Sequence, residues 1–254
     1  MLSKDNLVKM KSSLGFNLGQ AEKDYLQHLF LLFLSRHIKD ELIFKGGTAL
    51  QKAYGLNRFS EDLDFTLNKE LNTEALIERI TKDIENFGFK ADYNIIESKA
   101  SKCYRLRIRG PLFDESERTI ASLRIEISLR KDLLLNGDLK EVIPVYADLQ
   151  PYLVLVMSAK EILAEKIRTI IQREKARDLY DIWFLLKKGI QLDSKIADKK
   201  AEFYNIKLNK DIILKRMLDL RKIWKEELSG YVSFIPDFDD VIKEVKKYIS
   251  DSFS

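Results

Sequence analysis

The stretch from Phe44 to Phe65, FKGGTALQKAYGLNRFSEDLDF, decides the fold. It opens with adjacent glycines, Gly46 and Gly47, and closes with Asp62 and Asp64 separated by one leucine. Successive strand residues point to opposite faces, so Asp62-Leu-Asp-Phe-Thr-Leu67 sets Asp62, Asp64 and Thr66 against Leu63, Phe65 and Leu67. Two carboxylates on one face, roughly 6–7 Å apart at Cβ, repel unless a cation neutralises them. Hard divalent ions such as Mg²⁺ take oxygen ligands, commonly one or two carboxylates plus substrate phosphates. The glycines supply the complement. Backbone without a Cβ approaches a phosphate closely, and a helix start offers free N–H groups at a positive dipole end. Gly46, Gly47 and Thr48 therefore read as a phosphate cradle, with Thr48 capping a short helix to Tyr54.

Two further segments alternate with a period of two. Arg105, Arg107 and Arg109 share one face of Arg105-Leu-Arg-Ile-Arg109. In Ser122 to Arg130, Arg124, Glu126, Ser128 and Arg130 lie opposite Leu123, Ile125, Ile127 and Leu129. Both read as half-buried strands. Helical periodicity occupies the first forty residues, notably Ala21 to Ile38, and returns at Thr73 to Phe87 with a stop at Gly88. After Pro151 only helices are expected: Ser158 to Gln172 with a Ser158/Glu161 capping box, Ala176 to Lys187, Asp211 to Leu228, and Asp239 to Ile249. The expected organisation is an α/β part over 1–150 with N-terminal helices, then a helical part over 151–254.

Composition narrows the class. The 254 residues include 44 Lys and Arg against 40 Asp and Glu, too even a balance to name a polyanionic partner by itself. The run from Lys99 to Arg109, KASKCYRLRIR, holds basic residues and no acid, and that local face suits a polyanion. The densest apolar patch, Leu29 to Leu34, is far short of the ~18 residues a membrane span needs. Cys103 is the sole cysteine and the histidines are two, His28 and His37, which argues against disulfides and zinc and for a reducing cytoplasm. Both histidines, together with Trp183 and Trp224 on apolar helix faces, are expected to be structural.

Gly-Gly, a short helix and a hydrophobic-flanked Asp-x-Asp together resemble the DNA polymerase beta-like nucleotidyltransferase superfamily. The longer string resembles its AbiEii/AbiGii abortive-infection toxin branch, as do Ala164-Glu-Lys-Ile-Arg168 and Arg177-Asp-Leu-Tyr-Asp181. The resemblance implies an α+β fold, a mixed sheet flanked by helices, followed by a helical part that closes the nucleotide cleft. It implies Mg²⁺-dependent transfer of a nucleotide from a nucleoside triphosphate to an acceptor, tRNA in some members, arresting growth. It also implies a cognate antitoxin that need not touch the toxin. On that reading Asp62, Asp64 and Glu126 hold two Mg²⁺ ions, and Gly46, Gly47 and Thr48 hold phosphates. Lys166 meets the leaving pyrophosphate, and Asp178 and Asp181 either support the site or take part in it. Arg58 and Ser60 either contact phosphate or order their loop. Two other readings stay open: transfer to a small molecule or a protein hydroxyl, and a catalytically silent nucleotide-binding regulator.

Overall fold

The computed structural model describes residues 1–98 and 100–253, so Lys99 of the basic run lies outside the described residues. The chain divides into two compact units. One is Met1–Ala53, Phe59–Lys131 and Gly137–Val156; the other is Tyr54–Arg58, Asp132–Asn136 and Met157–Ser254.

The first unit is built on a mixed sheet. Its elements in chain order are α1 (Lys4–Leu14), α2 (Leu18–His37), β1 (Leu42–Lys45), α3 (Gly46–Tyr54), β2 (Leu63–Leu67), α4 (Thr73–Phe87), β3 (Ala91–Glu97), β4 (Ser101–Ile108), β5 (Ala121–Ser128), β6 (Asp138–Val142) and β7 (Tyr152–Val156). Among the described residues seven strands run in the order β3-β4-β5-β2-β1-β7-β6. β2 pairs parallel with β5 and antiparallel with β1, which places the Asp-x-Asp strand mid-sheet.

α2 starts at a reciprocal cap, Asn17 with Gln20. Its apolar side packs on the sheet through Phe30 against Phe65, itself stacked on Phe44 at 5.1 Å. Each such side chain, once buried, contributes about 1.5–3 kcal/mol. α4 begins at the Asn72 cap and stops at Gly88, whose φ of 118° is the left-handed turn the sequence called for. α2 also buries Asp24, Gln27 and His28. Asp24 accepts from Gln51 Nε2 at 2.9 Å and Tyr146 Oη at 2.8 Å, and pairs with Lys52. Burial, reinforced by the Lys52 charge, brings the His28 pKa down to about 3, so the ring that meets Tyr152 Oη at 2.9 Å is neutral.

The second unit is helical: α5 (Ala159–Gln172), α6 (Ala176–Lys187), α7 (Ser194–Glu202), α8 (Lys210–Asp219), α9 (Trp224–Ser229) and α10 (Phe238–Ser252). Several local expectations need correcting. β3, β6, β7 and α7 carry no clean periodicity and were not anticipated. The helix expected over 211–228 breaks at Leu220–Lys222 into a turn of 3-10 helix, where Trp224 donates to the Pro236 carbonyl and packs on Phe238. Trp183 is not core: it is partly exposed and donates Nε1–H to Glu244 at 2.7 Å. Ser158 caps α5 as expected, but the Glu161 carboxylate accepts from the N–H groups of Leu134 and Leu135 and pairs with the fully buried Lys200 at 2.6 Å. Among the described residues no helix is long and apolar enough to cross a membrane.

Candidate active site

The carboxylates are brought together by register. Asp64 of β2 lies directly beside Glu126 of β5 in the parallel pair, and directly across from Lys45 of β1 in the antiparallel one. Asp62 precedes β2 by one residue. Both aspartates are partly exposed, while the apolar set Leu63 and Phe65 is buried, as the alternation requires. Thr66 departs from it: this polar-face residue is fully buried.

β1 runs straight into α3 at Gly46, whose φ is +77°. A Cβ built on Gly46 would stand 2.6 Å from Asp64 Oδ2. The backbone at the helix start is thus pressed against the carboxylate, an approach open only to glycine. Gly46→Ala should cost roughly 1–3 kcal/mol in stability and push Asp64 aside; a melting curve beside a transfer assay checks both. Equal stability and equal transfer would show that the contact is dispensable.

Thr48 does not cap α3, because the helix begins two residues earlier. Its hydroxyl bonds Ser60 Oγ at 2.8 Å and the Asp62 carbonyl, tying α3 to the segment that carries Asp62. Gln27 Nε2 donates to the carbonyls of Ser60 (2.9 Å) and Glu61 (2.8 Å), and Ser60 N–H donates to Gln51 Oε1. Gln27, Asp24 and Gln51 are positioning residues that the sequence did not single out. For Asp24 and Gln27, buried polar positions on the otherwise apolar α2 were the available signal.

Arg124 separates the acids. Its Nη2 donates to Glu126 Oε2 at 2.6 Å, its Nη1 stands 3.7 Å from Asp62 Oδ2, and its Nε donates to Cys103 Sγ at 3.3 Å. Among the described residues no three His, Cys, Asp or Glu side chains are set to hold a metal as they stand. The donors nonetheless fit a hard divalent ion: carboxylate oxygens on adjacent strands, with backbone close behind Asp64. The arginine face is less uniform than the sequence implied. Arg105 is exposed, Arg107 pairs with Glu117 at 2.5 Å and lies 3.7 Å from Asp92, and Arg109, beyond the end of β4, lies over the Phe113 ring.

Within the helical unit a second cluster forms. Arg58 grips Asp181 through Nε (2.6 Å) and Nη2 (2.7 Å), and Lys166 Nζ lies 2.7 Å from both Asp178 and Asp181. Arg173 donates to Asp178 as well. Arg58, Lys166, Asp178 and Asp181 are all buried. Burial alone would raise the aspartate pKa values, but Lys166 beside Asp178 and Arg58 with Lys166 beside Asp181 hold both below the usual range. Arg177, a candidate i,i+4 partner for Asp181, lies instead 3.5 Å from Glu227 and over the Tyr231 ring.

Solved structures share the fold. MenT4, a nucleotidyltransferase toxin of Mycobacterium tuberculosis, superposes with a TM-score of 0.64 at 17% identity, over 99% of this chain and 90% of that one. JHP933 of Helicobacter pylori gives 0.56 at 22% identity, over 93% of each. No curated protein matches. The fold and the Gly-Gly/Asp-x-Asp arrangement define a nucleotidyltransferase of α+β class. Over residues 32–244 the sequence matches the nucleotidyl transferase AbiEii toxins of type IV toxin–antitoxin systems, and the chain belongs to that family.

Proposed function

We propose that this toxin moves a nucleotide from a nucleoside triphosphate to a hydroxyl of RNA, with tRNA as the acceptor. It would act in the cytoplasm beside a cognate antitoxin that need not touch it. The observation that carries the reading is the Gly46 backbone held against Asp64, itself in register with Glu126. The N–H groups at the start of α3 suit the β- and γ-phosphates, with Gly46 and Gly47 opening that helix. Asp62, Asp64 and Glu126 would hold two Mg²⁺ ions, which neutralise charge on the phosphoryl oxygens when bound. Glu126 would accept the proton of the attacking hydroxyl, and the Thr48–Ser60–Gln27 bonds keep Asp62 in place. Catalysis is chiefly positioning and charge neutralisation.

An RNA acceptor is favoured over a small cationic one by the arginines of β4. Incubation with each labelled nucleoside triphosphate and total RNA, followed by gel separation, tests the reading; label is expected in the tRNA band. Label found only on protein or on small molecules would replace tRNA by one of the other acceptors. Acceptor binding should weaken steeply with salt. Arg105→Gln should lower the slope of log K against log salt by about one, the loss of one phosphate contact. Arg107→Gln should change it less, because Glu117 already neutralises that side chain. An unchanged slope with Arg105, Arg107 and Arg109 all neutralised would return this face to ordinary solvated surface.

A further inference from the structure

Arg124 stands two residues before Glu126 on the same strand face, directly across from Arg105 of β4. Its guanidinium reaches two of the three carboxylates, Glu126 at 2.6 Å and Asp62 at 3.7 Å, while its Nε is held at Cys103. The fork is fixed by three neighbours that belong to different parts of the site. We infer that Arg124 is the built-in counter-cation of the carboxylate site, and that it sets the affinity for the divalent ion by competing with it for Glu126 and Asp62. The inference rests on the metal-binding reading above.

The physical case is one of charge and reach. Asp64 beside Glu126, with Asp62 two residues earlier, is a costly gathering of like charges without a bound cation, and a neighbouring cation relieves that cost. Arginine suits the task because it stays charged at any working pH and its planar fork spans two acceptors at once. It cannot coordinate a metal, so its charge at these oxygens opposes an arriving cation and adds no ligand to it. The pairs are also weak enough to yield. Arg124 is 50% exposed, Asp62 43% and Glu126 35%, and ion pairs so wet contribute little. A divalent ion carries twice the charge and can meet the oxygens directly, so it displaces the guanidinium. The arrangement makes the ready site a product of ligand arrival: Glu126 turns from Arg124 to the metal.

The test uses Mn²⁺ alone, without nucleotide, on the full chain, read by calorimetry and by the electron paramagnetic resonance signal of free Mn²⁺. Arg124→Met keeps an apolar stem of similar length and removes the competitor; Mn²⁺ should bind about three- to tenfold tighter, the scale of one or two exposed ion pairs. Arg124→Lys keeps the charge but loses the fork, and should fall between the two. Arg105→Gln removes one positive charge from the facing strand position, so it measures the general field of the sheet face. A gain with Arg105→Gln equal to that with Arg124→Met would overturn the inference, as would unchanged or weaker binding in Arg124→Met. Asp64→Asn separates the two layers. If the parent binds Mn²⁺ and Asp64→Asn does not, the metal reading stands and the Arg124 variants decide the inference. If the parent binds none, or Asp64→Asn binds as well as the parent, the metal reading fails and the inference falls with it.

Discussion

Asp64→Asn should lower nucleotide transfer by at least ~10³-fold, the upper scale for losing a group that stabilises transition-state charge. The substitution is nearly isosteric and removes only the negative charge. Asp64 lies mid-sheet, beside Glu126 and against Gly46, so no neighbouring carboxylate can take its place without moving a strand. The fold should survive, since the packing of β2 is carried by Leu63 and Phe65 on its buried side. Initial rates of label transfer, paired with melting curves and a growth-arrest assay, give the answer. A variant within tenfold of the parent would remove Asp64 from the chemistry and the metal site with it. Asp62→Asn should be similarly damaging, though this residue lies outside β2 and is held by the loop bonds of Thr48 and Gln27.

Asp181→Ala should destabilise the protein more than any change at the carboxylate site. It takes from the buried Arg58 both of its bonds to Asp181 and from Lys166 one of its two aspartates, and removing one partner from a buried pair costs about 3–5 kcal/mol. At ~2–4 °C per kcal/mol for a chain of this size, the melting temperature should fall by roughly 10 °C. Lys166→Met should cost less, because Asp178 keeps Arg173 and Asp181 keeps Arg58. The cluster also predicts acid sensitivity. Asp178 and Asp181 have folded pKa values below their unfolded ones. Their contribution is therefore complete above the unfolded value near 3.9 and is lost as pH falls through the folded values. Thermal unfolding of the three proteins from pH 7 down to about pH 1.5, well below the unfolded value and toward the folded ones, checks all of this; an Asp181→Ala midpoint at pH 7 within 2 °C of the parent would show that water already compensates the pair. Any role for Lys166 at donor phosphates requires its ammonium to exchange the two aspartates for phosphate oxygens. Transfer in Lys166→Met, measured where the variant is fully folded, separates that role from the structural one.

Local sequence determined what local physics controls. Alternation placed Asp62 and Asp64 opposite Leu63 and Phe65, and Glu126 opposite Ile125 and Ile127, because a strand admits only two faces. The C-terminal ends of α4 and α6 were legible, since Gly88 and Gly189 take the positive φ that ends a helix. The glycine pair was legible as a turn, but its close contact with Asp64 depends on β1 pairing with β2. Tertiary structure decided the rest. β7 is a short apolar run, β6 a charged edge strand, and β3 half polar; each becomes a strand through its neighbour in the sheet. Arg58 and Asp181 lie 123 residues apart, and the ridge Leu163, Lys166 and Ile170 suggests by itself an ammonium that emerges at the edge of the core. It is buried instead, because two aspartates one helical turn apart on α6 face it and make burial of the ammonium tolerable. Arg124 shows the same limit at closer range: periodicity placed it on the wet face with Glu126, where an ion pair two residues along the strand was already an alternative, but only the pairing of β2 with β5 showed that it reaches Asp62 as well. Periodicity fixes which way a side chain points, whereas its partner is set by strands and helices brought together over long stretches of chain.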